Sequence, residues 1–232
     1  MSKITIVKRV LVFAAVLWAT SVNALPTVFE YGVNVDGDAA LLKSPSGTDP
    51  LPAGANISGY NETTGLGSIL VEISSVGAHN VDAYFDYEFI DGGGFFFDEL
   101  GSTFGTPAAG QSWEIDEPGF VFGDIFDHWE ASALDDANAL LGIPEDVSLG
   151  LGWDFNVALD EIASLLFSVS FVAPTSGFYI VQNDPQSDET IYFSSSLTIR
   201  QIPPNPVSLP STFFLMLVAA GLGGLSRRSS PV

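Results

Sequence analysis

A chain of 232 residues with 28 Asp or Glu, seven Lys or Arg and no cysteine has the length for one moderate core, and it excludes disulfide staples, thiolate metal sites and a cysteine nucleophile. Five of the seven cations stand at the two ends, as Lys3, Lys8, Arg9, Arg227 and Arg228, which leaves Lys43 and Arg200 to face all 28 carboxylates in the body. Such a body repels phosphate, so nucleic acid and anionic lipid surfaces are excluded as its partners.

The chain begins with a basic start, an apolar stretch "VLVFAAVLWA" and the small residues "VNA". This is the tripartite pattern of a secretory signal over 1–24, with cleavage expected between Ala24 and Leu25. Next, "NVDGD" sets Asn34, Asp36 and Asp38 at alternate positions, as the early oxygen ligands of a calcium loop would stand. The helix-loop-helix template then needs Gly at 39 and Glu at 45, where this chain has Ala39 and Pro45. An acidic turn built from the usual turn residues is the competing reading.

In "VDAYFDYEF" the odd positions Val81, Ala83, Phe85, Tyr87 and Phe89 are apolar and the even ones include Asp82, Asp86 and Glu88, so a strand with one wet face is expected. Acidic pairs recur at Asp98/Glu99, Glu114/Asp116/Glu117, Asp135/Asp136, Glu145/Asp146 and Asp160/Glu161. Glycoside cleavage would need two of them across a cleft with one held protonated. Their flanking turns suggest solvated loops instead. From Asp124 onward, Ile125, Trp129, Leu134, Ala137 and Leu141 fit one helical face with Asp124 as cap, which predicts one or two short helices. His79 and His128 stand apart from any HExxH pattern, and no GxSxG is present, so neither a zinc nor a serine hydrolase is indicated. Trp113, Trp129 and Tyr60 are candidates for a sugar-stacking platform if exposed, and for core if not.

Alternation returns in "VSLGLGWDFNV", with Val147, Leu149, Leu151, Trp153, Phe155 and Val157 inward, in "LLFSVSF", with Leu165, Phe167, Val169 and Phe171, and in "TIYFSSSLTI", with Ile191, Phe193, Leu197 and Ile199. Strands of this kind between clusters such as "IDGGG", "APTSG" and "NDPQSD" predict an all-β body over 25–200, an antiparallel β-sandwich. Residues 201–212 read as a Pro-rich linker. Residues 213–232 follow with a short apolar helix, marginal for a hydrocarbon core of about 30 Å, and a basic tail. Cationic ends stay on the cytoplasmic side, which would place the acidic body outside.

A proline-containing motif, a short Gly/Ala/Leu-rich helix and a terminal arginine cluster resemble the PEP-CTERM sorting signal in its VPLPA-type variant. The matching residues are Pro206, Val207, Leu209 and Pro210, then Arg227 and Arg228. Ser208, Ser211, Phe213 and Phe214 depart from the pattern, and only two arginines follow. The resemblance implies an exosortase-type processing enzyme as partner, transit through the inner membrane of a Gram-negative bacterium, and delivery to the cell surface or an extracellular polysaccharide matrix. An uncut membrane anchor rests on the same insertion physics. The phrases "AAGQSWEIDEPGFVFGDI" and "LGWDFNVALDE" resemble an all-β domain that recurs in exported proteins with such tails, and this resemblance carries no catalytic activity with it.

The expected function is an exported, non-catalytic, surface- or matrix-associated structural β-sandwich without a required cofactor. The alternatives are a carbohydrate-binding module, with structural Ca²⁺ at Asn34, Asp36 and Asp38, or a glycoside hydrolase.

Overall fold

The computed structural model describes residues 26–89, 97–119, 121–187 and 189–203. The expected cleavage point at Ala24 and Leu25, the motif residues Pro206, Val207, Leu209 and Pro210, the arginines Arg227 and Arg228 and both terminal helices lie outside the described residues.

The fold is all-β. Its strands are β1 (Pro26–Val35), β2 (Asp38–Lys43), β3 (Ala55–Asn61), β4 (Leu66–Ile73), β5 (Gly77–Phe89), β6 (Leu100–Phe104), β7 (Gln111–Asp116), β8 (Ala137–Asn138), β9 (Ser148–Val157), β10 (Glu161–Ser170), β11 (Tyr179–Asp184) and β12 (Glu189–Gln201), with one short helix, α1 (Ile125–Glu130), between β7 and β8. They form two six-stranded sheets. The first runs β2-β1-β5-β9-β7-β8 and the second β3-β4-β10-β12-β11-β6. Apart from the parallel β7–β8 pair, the named strand pairs are antiparallel. Among the described residues no helix is long and apolar enough to cross a membrane.

One core fills the space between the sheets. The alternation in β9 places Leu149, Leu151, Trp153, Phe155 and Val157 there, and β5, β10 and β12 add Phe85, Tyr87, Phe167, Val169, Ile191 and Phe193. Polar tips inside this layer find partners. The Trp153 indole N–H donates to Ser195 Oγ at 2.9 Å, and the Tyr60 and Tyr87 hydroxyls meet at 2.7 Å. Two expected core residues are not in it. Ile199 is 39% exposed, because β11 pairs with β12 only as far as Ser194 and the strand continues to Gln201 with β10 alone beside it. Phe171 lies just past the end of β10 and is also exposed.

The helix is shorter than its periodicity predicts. It stops at Glu130, and Ser132, Asp136 and Leu141 then take left-handed backbone angles that no helix continues through. Ala137 falls in β8 and Leu141 is 84% exposed, so neither shares a face with Ile125 and Trp129. Asp124 stands at the helix start without capping it through its side chain.

The largest correction concerns the even-numbered face of β5, expected to be wet. Tyr84, Asp82 and Asp86 on that face are all buried. The register explains why. Tyr84 lies between Gly32 of β1 and Gly150 of β9, and those two bare positions leave a shallow seat across three strands. α1 settles into it, with Trp129 stacked on Tyr84 at 5.5 Å and Ile125 and Leu134 completing a small second core on the outside of the sheet. A Cβ on Gly32 would lie 2.5 Å from the Trp129 ring, and one on Gly150 2.9 Å from Leu134. Asn34 holds the far end of the helix, donating from Nδ2 to the Trp129 and Glu130 carbonyls at 2.8 and 3.0 Å.

Three substitutions test this arrangement by urea unfolding. Trp153→Ala is expected to cost about 3–5 kcal/mol through cavity formation, whereas Asp154→Ala, on the exposed side of β9, costs within about 1 kcal/mol. Equal losses contradict the assigned faces. Gly32→Ala is expected to cost about 1–3 kcal/mol by overpacking and to shift Trp129 fluorescence to the red as α1 lifts. An unchanged emission spectrum counts against the seat.

Candidate functional site

Three transverse rows cross the outer face of the first sheet. One reads Asn34, Asp82, Gly152, Ser112; the next Gly32, Tyr84, Gly150, Glu114; the third Glu30, Asp86, Ser148, Asp116. The middle row carries α1. Its neighbours are therefore sealed from water on one flank, and the third row is where carboxylates accumulate.

Glu30 and Asp86 are direct cross-strand partners in that row, 3% and 1% exposed. Glu88 follows Asp86 by two residues and so projects from the same face. Asp146 approaches from the segment leading into β9. A bulge in β1 between Val28 and Glu30 brings Phe29 to the edge of the same cleft, a space of about 400 Å³ lined by Phe29, Glu30, Ser44, Pro45, Ser46, Asp86, Glu88 and Asp146. One carboxylate oxygen each from Asp86, Glu88 and Asp146 lie within 4.8 Å of one another. Two full charges at that separation repel by about 3–4 kcal/mol at an effective dielectric of about 20.

Charge relief from protein groups is sparse there. Asp86 Oδ1, Glu30 Oε2 and Asp146 Oδ1 are buried without a hydrogen-bond partner. Lys43, on the adjoining strand β2, donates its ammonium to the Val28 carbonyl at 2.5 Å, and Arg200, on the other sheet, pairs with Glu72. Burial, and then the charges of Asp146 and Asp98, push Glu88 up to about 7. Burial, Glu117 and Glu145 push Asp146 up to about 6. Asp86 is raised well above the usual carboxylate range by burial and by Asp146, Glu88 and Glu30. Burial raises Glu30 also, against a lowering hydrogen bond with Ser44. The neighbouring Glu99, buried at the rear, is raised to about 9 by burial although it accepts from the Phe89 amide at 2.9 Å and from Gln182.

A second group, Glu114, Asp124 and His128, has ligand atoms equally close, but its hydrogen bonds are internal. His128 Nδ1 sits 2.9 and 3.1 Å from the two Glu114 oxygens, and the Asp135 amide donates to the same carboxylate. The Asp124 carboxylate lies 3.6 Å from His128 Nδ1, and its backbone N–H donates to Asp116 Oδ2. The group pins α1 to β7. His128 is thus paired with Glu114 of β7.

The residues expected to ligate calcium are not gathered into one ligand set. Asn34 is buried, with its amide nitrogen on the helix carbonyls and its Oδ1 accepting from Gly37. Asp36, at φ 56° in the two-residue turn before β2, accepts from the Asn80 amide and pairs with His79 Nδ1 at 2.8 Å. Asp38 is exposed at the start of β2. The competing turn reading describes the segment, and Asp-Gly is the favoured pair for such a hairpin. Nor do the aromatics make a platform. Trp129 and Tyr60 are buried, and Trp113 is half-buried against Phe178 at 5.6 Å. The acidic pairs are divided: Glu99, Glu114 and Asp116 are buried rather than solvated.

Raised carboxyl pKa values mean that the folded state holds protons the unfolded chain has released. Stability therefore falls as pH rises through the folded values. His128, raised chiefly by its Glu114 partner, works in the same direction, since its stabilising charge is present at low pH and lost above its folded pKa. In a chelator-treated sample the unfolding free energy is expected to drop by at least about 2 kcal/mol between pH 5 and 8. Asp86→Asn should flatten that slope and raise stability at pH 8. A stability that climbs over this interval contradicts the burial assigned to these groups. No protein-family model matches the chain, and neither a curated protein nor a solved structure is significantly similar to it.

Proposed function

We propose that the chain is an exported, non-catalytic structural β-sandwich. Its N-terminal signal is removed after Ala24, and its C-terminal segment is read by an exosortase-type enzyme at the inner membrane for delivery to the surface or extracellular polysaccharide of a Gram-negative bacterium. The observation that supports this reading is in the sequence: five of the seven cations stand at the two ends, beside the apolar stretches within 1–24 and 213–232, and all 28 carboxylates lie in the body between them. The described strands run from Pro26 to Gln201, between the two expected addresses.

The carboxylate cleft is the feature closest to the hydrolase alternative. Glycoside cleavage uses one carboxyl kept protonated and another kept ionised in the same cleft. In this cleft burial raises all four, Asp146 to about 6, Glu88 to about 7 and Asp86 well above the usual carboxylate range, so an assay for polysaccharide cleavage separates the hydrolase alternative from the structural reading.

Fractionation of a host that carries an exosortase-type enzyme, with intact-mass measurement of the envelope and released pools, tests the reading. The parent protein is expected to begin at Leu25 and to lack residues after the Pro206–Pro210 motif. Arg227→Ala with Arg228→Ala should yield a body that still carries its C-terminal segment. A mature protein that retains Met1, or a double arginine variant trimmed and located like the parent, overturns it.

A further inference from the structure

We infer that the cleft formed by Glu30, Asp86, Glu88 and Asp146 is a binding site for a hard divalent cation of the calcium class. Three independent features converge on it. The ligand atoms of Asp86, Glu88 and Asp146 already stand within 4.8 Å of one another, close enough to share one ion. Asp86 and Glu30, both more than nine-tenths buried, line the cleft, and each has a carboxylate oxygen without a hydrogen-bond partner. Buried polar atoms left in that state are rare unless something else meets them. Among the described residues Arg200 pairs with Glu72 on the other sheet and the Lys43 ammonium donates to the Val28 carbonyl, and neither bonds a carboxylate of the cleft.

The donor set decides which ion. Every side-chain donor in the cleft is oxygen: four carboxylates, with the Ser44 and Ser46 hydroxyls at the rim. Oxygen-only sites suit Ca²⁺ or Mg²⁺ rather than zinc or copper. Mg²⁺ demands near-ideal octahedral geometry, whereas Ca²⁺ accepts irregular sets of six to eight oxygens and bidentate carboxylates. These ligands come from β1, from two positions on β5 and from the segment before β9, an irregular arrangement, and the cleft has room for waters to complete the shell. Ion binding would neutralise a row that otherwise repels itself, so the cation acts as a stitch across β1, β5 and the lead-in to β9. The site is distinct from the Asn34, Asp36 and Asp38 turn, and its test is independent of export and processing.

The full chain, purified in detergent and stripped with a chelator, is titrated with CaCl₂ at pH 7.5 in NaCl at about 0.15 M, which screens diffuse attraction to an acidic surface. Calorimetry is expected to show a saturable isotherm with about one ion per chain, and the thermal midpoint should rise by several degrees as Ca²⁺ saturates. Glu88→Gln with Asp146→Asn should weaken the affinity at least about tenfold while keeping the parent's far-ultraviolet circular dichroism. Asp38→Asn, an exposed carboxylate elsewhere, should bind as the parent does. If the double variant does not fold, Glu88→Gln alone serves, with the same expected loss. A non-saturating isotherm, an unshifted midpoint, or equal binding by the parent and the cleft variant overturns the site, and equal binding of Mg²⁺ overturns its calcium character.

Discussion

Trp129 lying flat on Tyr84 is the contact on which the outer half of this molecule depends. It exists because two neighbouring strands present hydrogen atoms, at Gly32 and Gly150, where side chains would otherwise stand. Burying an indole of that size stabilises by about 2–3 kcal/mol, enough to hold a six-residue helix that has little intrinsic stability. Everything adjacent follows from the docking. Asn34 meets the carbonyls at the end of the helix, Glu114 meets its histidine, and Asp82 is shut beneath the turn that follows.

The same docking explains how an acidic protein comes to bury acid groups in a row. An antiparallel sheet ordinarily leaves its second face to water, and charges alternate outward at no cost. Once a helix and two loops cover that face, its carboxylates have three ways to lower their energy: a hydrogen-bonded partner, a proton, or a cation. On that face the molecule uses the first at Glu114, which has His128 and the Asp135 amide, and it uses the same route at Glu99, where Gln182 of the second sheet and the Phe89 amide donate. At Glu30, Asp86, Glu88 and Asp146 the first route is largely missing, and the other two compete for the same oxygens. That competition links the pH response of the fold to ions in its surroundings.

The inward face of the sandwich was legible from alternation alone, since Val81 through Phe89 and Val147 through Val157 point where period two puts them. The outward face was not. Its covering is a tertiary event, and nothing local in "VDAYFDYEF" distinguishes a solvated Asp86 from a buried one. Two signals nonetheless lay in the sequence. Tyr84 is an aromatic among aspartates on the supposedly wet side, and Gly150 and Gly152 both fall on the matching side of β9, where strand glycines mark close approach of something else. Extending a 3.6 period through "ASALDDANALL" overshoots the helix, because Ser132, Asp136 and Leu141 take left-handed angles there, and of the three only Asp136 is a residue type that visits that region readily. Ile199 was misplaced because periodicity assigns a face but is blind to whether a neighbouring strand reaches that far. The ligand trio at 34, 36 and 38 was read by spacing, while the cleft draws on positions 30, 86, 88 and 146, which no linear pattern joins.

The uneven flanking of β12 has a mechanical meaning. From Gln201 back to Ser195 the strand is held by a single ladder, to β10, and at Ser194 a second ladder to β11 begins. A pull applied through the linker therefore meets a graded clasp: the last residues peel one rung at a time, and the resistance then steps up where both neighbours grip. The exposed Ile199 lies in the yielding part, whereas Leu197 packs against the core and Ser195 holds the Trp153 indole N–H, so the slack that leaves the core dry is limited to the residues beyond Leu197. A domain tethered by its C-terminal end would carry its own shock absorber in the strand nearest the tether.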